Sequence, residues 1–291
     1  MILSSWNCRG LASKPKKLAL RDWLLSSKYD IIFLQETLGK GSEVENMLNS
    51  LLPGWKFTAI DSSGHSGGLA IGYKVGRIKV MNLWGTKQVI GMEIISPDFS
   101  LPFLIVNIYG PCQGRESFWN DLLNKSLMKS PLLIVGGDLN FSIGRAEAWG
   151  PSAREDPLSD FFLSLLLDNN LIDPSPSKLK PTWRNRRIGE DRIAKRLDRF
   201  LLSEGLILKV PIFKQWVEEI GNSDHFPIFL DISFPPPKPP SPFKFNSSWL
   251  QDPSFKNLFV ETWIHPDRDA REVKSFLFME NLKRLKKATI S

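Results

Sequence analysis

Two short runs, Ile31-Ile32-Phe33-Leu34 and Leu132-Leu133-Ile134-Val135, carry no polar side chain at any position. Successive residues of a strand face opposite sides, so a strand of this kind has to be covered on both faces. That demand for layers above and below a sheet constrains the fold more than any other feature of the chain. Further short strands are predicted at Ile2–Trp6, Trp55–Ile60, Leu69–Tyr73, Ile78–Leu83, Val89–Ile95, Phe103–Ile108, Lys180–Trp183, Ile193–Leu197 and Phe226–Ile232, separated by Gly, Pro and Asn. A helix is predicted over Leu18–Leu25, introduced by Ser13-Lys14-Pro15, and another over Glu116–Met128. The best helical stripe is Leu158, Phe161, Phe162, Leu165 and Leu166, closed by Asn169-Asn170. Many strands and few helices point to two packed sheets flanked by helices rather than one doubly wound sheet. No repeat of fixed period is visible.

The 291 residues allow one large or two modest domains, and 19 Phe and 10 Trp supply core material. Only Cys8 and Cys112 are present, which excludes a disulfide scaffold and a four-thiolate zinc site. The start Met-Ile-Leu-Ser-Ser-Trp-Asn lacks the pattern of a signal peptide and no apolar run approaches membrane-spanning length, so an intracellular protein with no membrane role is expected. The run Pro235-Pro236-Pro237-Lys238-Pro239-Pro240-Ser241-Pro242 cannot continue a sheet or helix. The expected organisation is therefore a domain over 1–233, a Pro-rich linker over 234–242 and a helical tail over 243–291, with the basic, amphipathic stretch Lys274–Lys287 in that tail.

Polar residues suited to catalysis cluster where strands end. Asn7, Glu36 and Tyr109 follow apolar strands, Asp138 and Asn140 follow Leu132–Val135, Asp198 follows Ile193–Leu197, and Asp224-His225 precede the last strand. A sheet holds such side chains rigidly while its loops stay open. Each alone has a plainer reading: Glu36 as a surface carboxylate, His225 as a structural histidine, Tyr109-Gly110-Pro111 as a turn. Their coincidence is harder to dismiss.

The blocks Ser5-Trp6-Asn7-Cys8-Arg9-Gly10-Leu11, Phe33-Leu34-Gln35-Glu36-Thr37, Asn107-Ile108-Tyr109-Gly110-Pro111, Gly136-Gly137-Asp138-Leu139-Asn140, Arg196-Leu197-Asp198-Arg199 and Ser223-Asp224-His225-Phe226-Pro227-Ile228 occur in that order. Together they resemble the signature of the endonuclease/exonuclease/phosphatase superfamily, the fold of deoxyribonuclease I and the apurinic endonucleases. The wording resembles most the endonuclease domain of plant LINE-type retrotransposons, and Phe243 through Trp263 resembles the stretch leading from that domain toward a reverse transcriptase. The resemblance implies a four-layer αββα sandwich of the α+β class and metal-dependent phosphodiester hydrolysis. It gives Glu36, with Asn7 and Asp224, to a hard divalent ion, Mg²⁺ or in its place Mn²⁺. Asp138 becomes the base that positions water, Asn140 and Tyr109 donors to the phosphate, and Asp198 the partner that orients His225. Neighbours in an extended segment face opposite sides, so Asp224 is badly placed to serve the His225 ring itself. One departure matters: Arg9 stands where apurinic endonucleases carry an acidic residue, which disfavours an identical metal arrangement and a role in abasic-site repair.

The chain has a net charge of +7, and residues 178–199 hold most of the excess. Lys178, Lys180, Arg184, Arg186, Arg187, Arg192, Lys195, Arg196 and Arg199 there face only Glu190, Asp191 and Asp198. Thr182, Trp183, Arg184, Arg186 and Arg187 are the expected nucleic-acid contacts, since a basic rim with an aromatic suits a polynucleotide backbone. The leading expectation is a monomeric, nuclear, DNA-nicking endonuclease. A phosphatase of the same superfamily acting on a small ester and a decayed fragment that only binds nucleic acid are the alternatives.

Overall fold

Burial follows the alternation that an apolar strand dictates: Ile31 and Phe33 turn toward one layer and Ile32 and Leu34 toward another, all of them at 0% exposure. The computed structural model describes residues 1–26, 29–63, 66–99, 101–210, 212–219, 223–233, 247–264 and 274–290. In chain order the first half runs β1 (Ile2–Asn7), α1 (Lys14–Ser26), β2 (Ile31–Gln35), α2 (Gly41–Leu51), β3 (Trp55–Ser63), β4 (Ser66–Lys74), β5 (Lys79–Thr86), β6 (Val89–Ile95), β7 (Phe103–Tyr109), α3 (Arg115–Leu123) and β8 (Leu133–Asp138). The second half runs β9 (Ala148–Trp149), α4 (Ser159–Asp168), β10 (Leu171–Ile172), β11 (Trp183–Arg184), β12 (Ala194–Lys195), β13 (Asp198–Ser203), α5 (Glu204–Ile207), β14 (Ile212–Val217) and β15 (Ile228–Ser233), followed by α6 (Pro253–Thr262) and α7 (Lys274–Ile290).

Two six-stranded sheets have the orders β14-β15-β1-β2-β4-β3 and β10-β13-β8-β7-β6-β5. Each has one parallel pair, β1 with β2 and β7 with β8, set among antiparallel neighbours. The two sheets thus repeat one connection pattern that no sequence period announces. Between them lies a core that includes Leu3, Phe33, Ile71, Ile105, Ile134 and Phe200. On the outer face of one sheet Trp6, Ile32 and Phe229 pack with Leu20, Trp23 and Leu24 of α1 and Val44 and Leu48 of α2. On the outer face of the other, Val106 and Val135 pack with Trp119 of α3 and Phe162 and Leu165 of α4. The result is the expected αββα layering. Burying a side chain such as Phe33 or Ile134 stabilises the fold by roughly 1.5–3 kcal/mol.

This architecture fixes where the site forms. Parallel pairing directs the carboxyl ends of β1 and β2 to one end of their sheet, and those of β7 and β8 likewise. The antiparallel strand β13 then starts at that end, with Asp198 opposite Asp138.

Several elements differ from expectation. The strand expected at Ile193–Leu197 shrinks to Ala194–Lys195, and the longer strand begins at Asp198. Lys180–Trp183 is replaced by Trp183–Arg184, and the helix expected to run to Met128 stops at Leu123, with a separate turn of 3₁₀ helix over Ser126–Met128. Helix α2, absent from the expected elements, carries a helical stripe of Val44, Met47, Leu48 and Leu51 that packs on the core. Strand β14, also absent from the expected elements, is an edge strand whose apolar run is broken by Lys214 and Gln215 and which stays mostly half-exposed.

The chain divides into two compact units, Met1–Pro235 and Pro236–Ser291. In the second, Trp263 stacks with Phe259 and meets Phe278 edge-on, and Asn281 bonds both N–H and C=O of Ile264. The Pro-rich run, His65, His265 and Asn246 lie outside the described residues.

Candidate active site

Asn7, the last residue of β1, is fully buried, and its amide donates to Glu36 Oε1 and to Asp138 Oδ2, both at 2.8 Å. Asp138 in turn lies 3.6 Å from His225 Nε2, and His225 Nδ1 lies 2.9 Å from Asp198 Oδ2. At the other end Arg9 Nη1 donates to Glu36 Oε2 at 3.2 Å, while its Nε and Nη2 donate to Asp224 at 3.0 and 3.1 Å. The outcome is one unbroken chain, Asp224–Arg9–Glu36–Asn7–Asp138–His225–Asp198, in which carboxylates alternate with donors. It borders a cleft of about 470 Å³ that Tyr109, Asn140 and Trp183 also line.

The backbone is held to suit. Glu36 leaves β2 in the left-handed region with φ 51, and Asn140 does the same after β8 with φ 52. At Asn140 the chain turns, the Asn140 N–H donates to Asp138 Oδ1 at 3.2 Å, and its side-chain amide donates to the Gly110 carbonyl at 2.6 Å. Gly110 and Gly137 admit no side chain, because a Cβ would fall 2.2 Å from the Leu139 carbonyl oxygen and 2.0 Å from that of Ile108. The Ser223 hydroxyl donates to the Asn7 carbonyl at 2.8 Å and accepts from the His225 N–H at 3.2 Å, which ties the Asp224–His225 segment to β1.

Electrostatics divides the roles. Burial works to strip His225 of its proton, but the facing carboxylates of Asp198 and Asp138 win and hold the ring up at about 9. Burial, with the charges of Asp198 and Glu36, raises Asp138 to about 7 against the pull of His225 and the Asn7 amide. At neutral pH the ring is therefore cationic and Asp138 is poised to accept a proton. Burial and the nearby Glu36 and Asp138 charges keep the Tyr109 hydroxyl protonated, hence a donor. Asp224 is held ionised against burial chiefly by its hydrogen bonds and charge contact with Arg9.

The donor sets differ in what they can hold. Asp138, Asp198 and His225 offer atoms within 4.8 Å of one another, but a protonated ring that bonds Asp198 and faces Asp138 at 3.6 Å is no metal ligand. Glu36 is only 5% exposed at its side chain. Its two oxygens accept from the Asn7 amide, from Arg9 and from the Tyr109 hydroxyl, and the lone pair left over suits a hard cation such as Mg²⁺. Asp224, expected on the metal side, is otherwise engaged: Arg9 and Trp183 Nε1 donate to its oxygens. Thr182, expected among the nucleic-acid contacts, is 0% exposed. Its hydroxyl accepts from the N–H groups of Leu197 and Asp198, both at 2.9 Å, so it places β13 instead.

Trp183 sits half-buried at the cleft wall, its ring 6.5 Å from that of His225. Arg184, Arg186 and Arg187 are exposed on the adjoining hairpin, where Asn185 Oδ1 accepts from the N–H groups of Arg187 and Ile193. Arg184 lies 4.5 Å over the Phe226 ring. Two residues that no strand-end logic singled out support the site from below. Gln35 donates to Ser5 and to Asn107 Oδ1, and the Asn107 amide donates to the carbonyls of Leu34 and Ala70, joining the sheets through buried polar contacts. Their only trace in the sequence is one polar letter, Gln35 closing Ile31–Leu34 and Asn107 inside Phe103–Ile108.

Residues 4–225 match the family described as the Endonuclease/Exonuclease/phosphatase family. The sequence matches no curated protein. Among solved structures, the fold is similar to the endonuclease domain of TRAS1, a telomere-specific non-LTR retrotransposon, at 18% identity and a TM-score of 0.62 over 80% of this chain and 98% of that one. It is also similar to the AP endonuclease LMAP from Leishmania major, at 19% identity and 0.64 over 80% and 88%. The mannosyl-6-phosphatase Bt3783 of Bacteroides thetaiotaomicron shares it at 15% identity and 0.52 over 80% and 100%.

Proposed function

Because the chain belongs to the endonuclease/exonuclease/phosphatase family, we propose that its cleft hydrolyses phosphodiesters of DNA, as a nicking endonuclease of the LINE retrotransposon type found in plants. The observation that carries this reading is the chain of alternating carboxylates and donors from Glu36 to Asp198, set beside a basic hairpin.

Asp138 takes the proton of the attacking water as its oxygen bonds to phosphorus and the bond from phosphorus to the leaving oxygen breaks. Asn7 holds Asp138 and Glu36 at a fixed spacing through one amide. The His225 ring, oriented by Asp198, turns its Nε2 hydrogen toward the cleft and stabilises negative charge growing on the phosphoryl oxygens. The Tyr109 hydroxyl and the second amide hydrogen of Asn140 donate to the same oxygens. Glu36 would hold a divalent ion, Mg²⁺ or Mn²⁺, which when bound would supply positive charge to offset that of the phosphate.

The hairpin supports a polynucleotide over a small ester. Arg184, Arg186, Arg187 and Arg192 line a second hollow of about 960 Å³ with Lys180, and Ile188 between them is 89% exposed. With Trp183, these arginines are the proposed backbone contacts. A DNA substrate places the protein in the nucleus, where it acts as a monomer. Among the described residues no helix is long and apolar enough to cross a membrane.

Supercoiled plasmid incubated with Mg²⁺ tests the reading. Nicking is expected, with Asp138→Ala and His225→Ala each slower by ~10³-fold, about 4 kcal/mol of barrier. Equal rates in wild type and both variants sink the reading, and turnover of a small phosphate ester without nicking transfers the site to a phosphatase.

A further inference from the structure

Arg9 brings a permanent positive charge to the carboxylates at the open end of the site chain. Its guanidinium spans the cleft mouth, bonding both oxygens of Asp224 and one of Glu36 at 3.0–3.2 Å. The backbone beneath is pinned. The Arg9 N–H donates to Asn7 Oδ1 at 3.2 Å, Gly10 N–H to the Glu36 carbonyl at 2.7 Å, and Lys16 Nζ to the carbonyls of Cys8 and Arg9, both at 2.7 Å. A guanidinium is permanently charged and does not leave by losing a proton. Both oxygens of Asp224 are taken by this guanidinium, whereas Glu36 gives it only one of its two. A second ion would have to displace Arg9 from Asp224 and stand against its charge.

We propose that Arg9 is a built-in second cation: it occupies Asp224 and limits the site to one divalent ion, held at Glu36. This rests on reading the cleft as a metal-dependent phosphodiesterase, but its test does not depend on turnover.

Mn²⁺ titrated into the full chain, with bound ion counted by calorimetry and by loss of the free-ion electron paramagnetic resonance signal, reads the stoichiometry. One Mn²⁺ per wild-type chain is expected and two for Arg9→Asp, while Arg9→Lys stays at one. Asp tolerates the left-handed backbone at this position, where φ is 48. If Arg9→Asp does not fold, Arg9→Asn tolerates that backbone equally and is also expected to admit the second ion. Glu36→Gln is expected to lose the ion altogether. Two ions or none on the wild-type chain overturn the proposal, as does a folded Arg9→Asp or Arg9→Asn that still binds one. A chain that shows the expected counts yet never nicks plasmid upholds the role of Arg9 and sinks only the nuclease reading.

Discussion

Wedged between two carboxylates, the His225 ring retains in the folded chain a proton that an unfolded histidine gives up near pH 6.5. Its folded pKa is raised, so its contribution to stability is complete below 6.5 and is lost as pH climbs through about 9. That interval corresponds to roughly 3 kcal/mol. Asp138, raised from 3.8 to about 7, acts with the same sign over a lower window. Urea denaturation in EDTA at pH 6 and pH 10 checks this. With Asp138→Asn in the background, so that this coupled carboxyl does not titrate, the chain with His225 is expected to lose more stability over that rise than its His225→Gln counterpart, and parallel pH dependence in the two would remove the ring's charge from the account. The same residue illustrates what letters conceal. Asp224 is its neighbour in sequence, but its ring bonds Asp198, 27 positions away.

At the scale of elements, strand β13 shows how a charged sequence becomes core. Arg196 is 3% exposed and Arg199 0%, because both pair with Glu147 and Asp173 at 2.6–2.7 Å. This cluster, with the Thr182 hydroxyl, fixes the start of β13 and so the register that sets Asp198 opposite Asp138. It also removes two arginines from the basic run counted along the sequence. Asp173→Ala leaves two buried guanidinium groups with one carboxylate, and a loss of about 3–5 kcal/mol is expected by chemical denaturation. Arg187→Ala on the exposed hairpin is expected to change stability by under ~0.5 kcal/mol. Equal effects of the two substitutions would mean that the cluster is not what holds the strand.

Taken whole, the molecule gathers its carboxylates at one end of two sheets and sets exposed arginines beside them. If Arg184, Arg186, Arg187 and Arg192 make about four phosphate contacts, log affinity for duplex DNA is expected to fall with log salt at a slope of roughly −3.6. A flat dependence, measured by fluorescence anisotropy, would take the hairpin off the binding surface. The layering was legible in the chain because burial on both faces leaves a local mark, an unbroken apolar run such as Ile31–Leu34, and the Glu36 and Asp138 blocks were legible because each sits at the end of such a run. The duplicated sheet pattern, the joint made by Gln35 and Asn107, and the inward turn of Arg196 and Arg199 left no such mark. Side-chain alternation is a property of neighbours, so letters in order suffice to find a strand and the residue that ends it. The partner of a buried charge is chosen across strands far apart in the chain, so Arg9 on Asp224 rather than facing solvent, and Thr182 under Asp198 rather than on DNA, were settled only when the sheets packed.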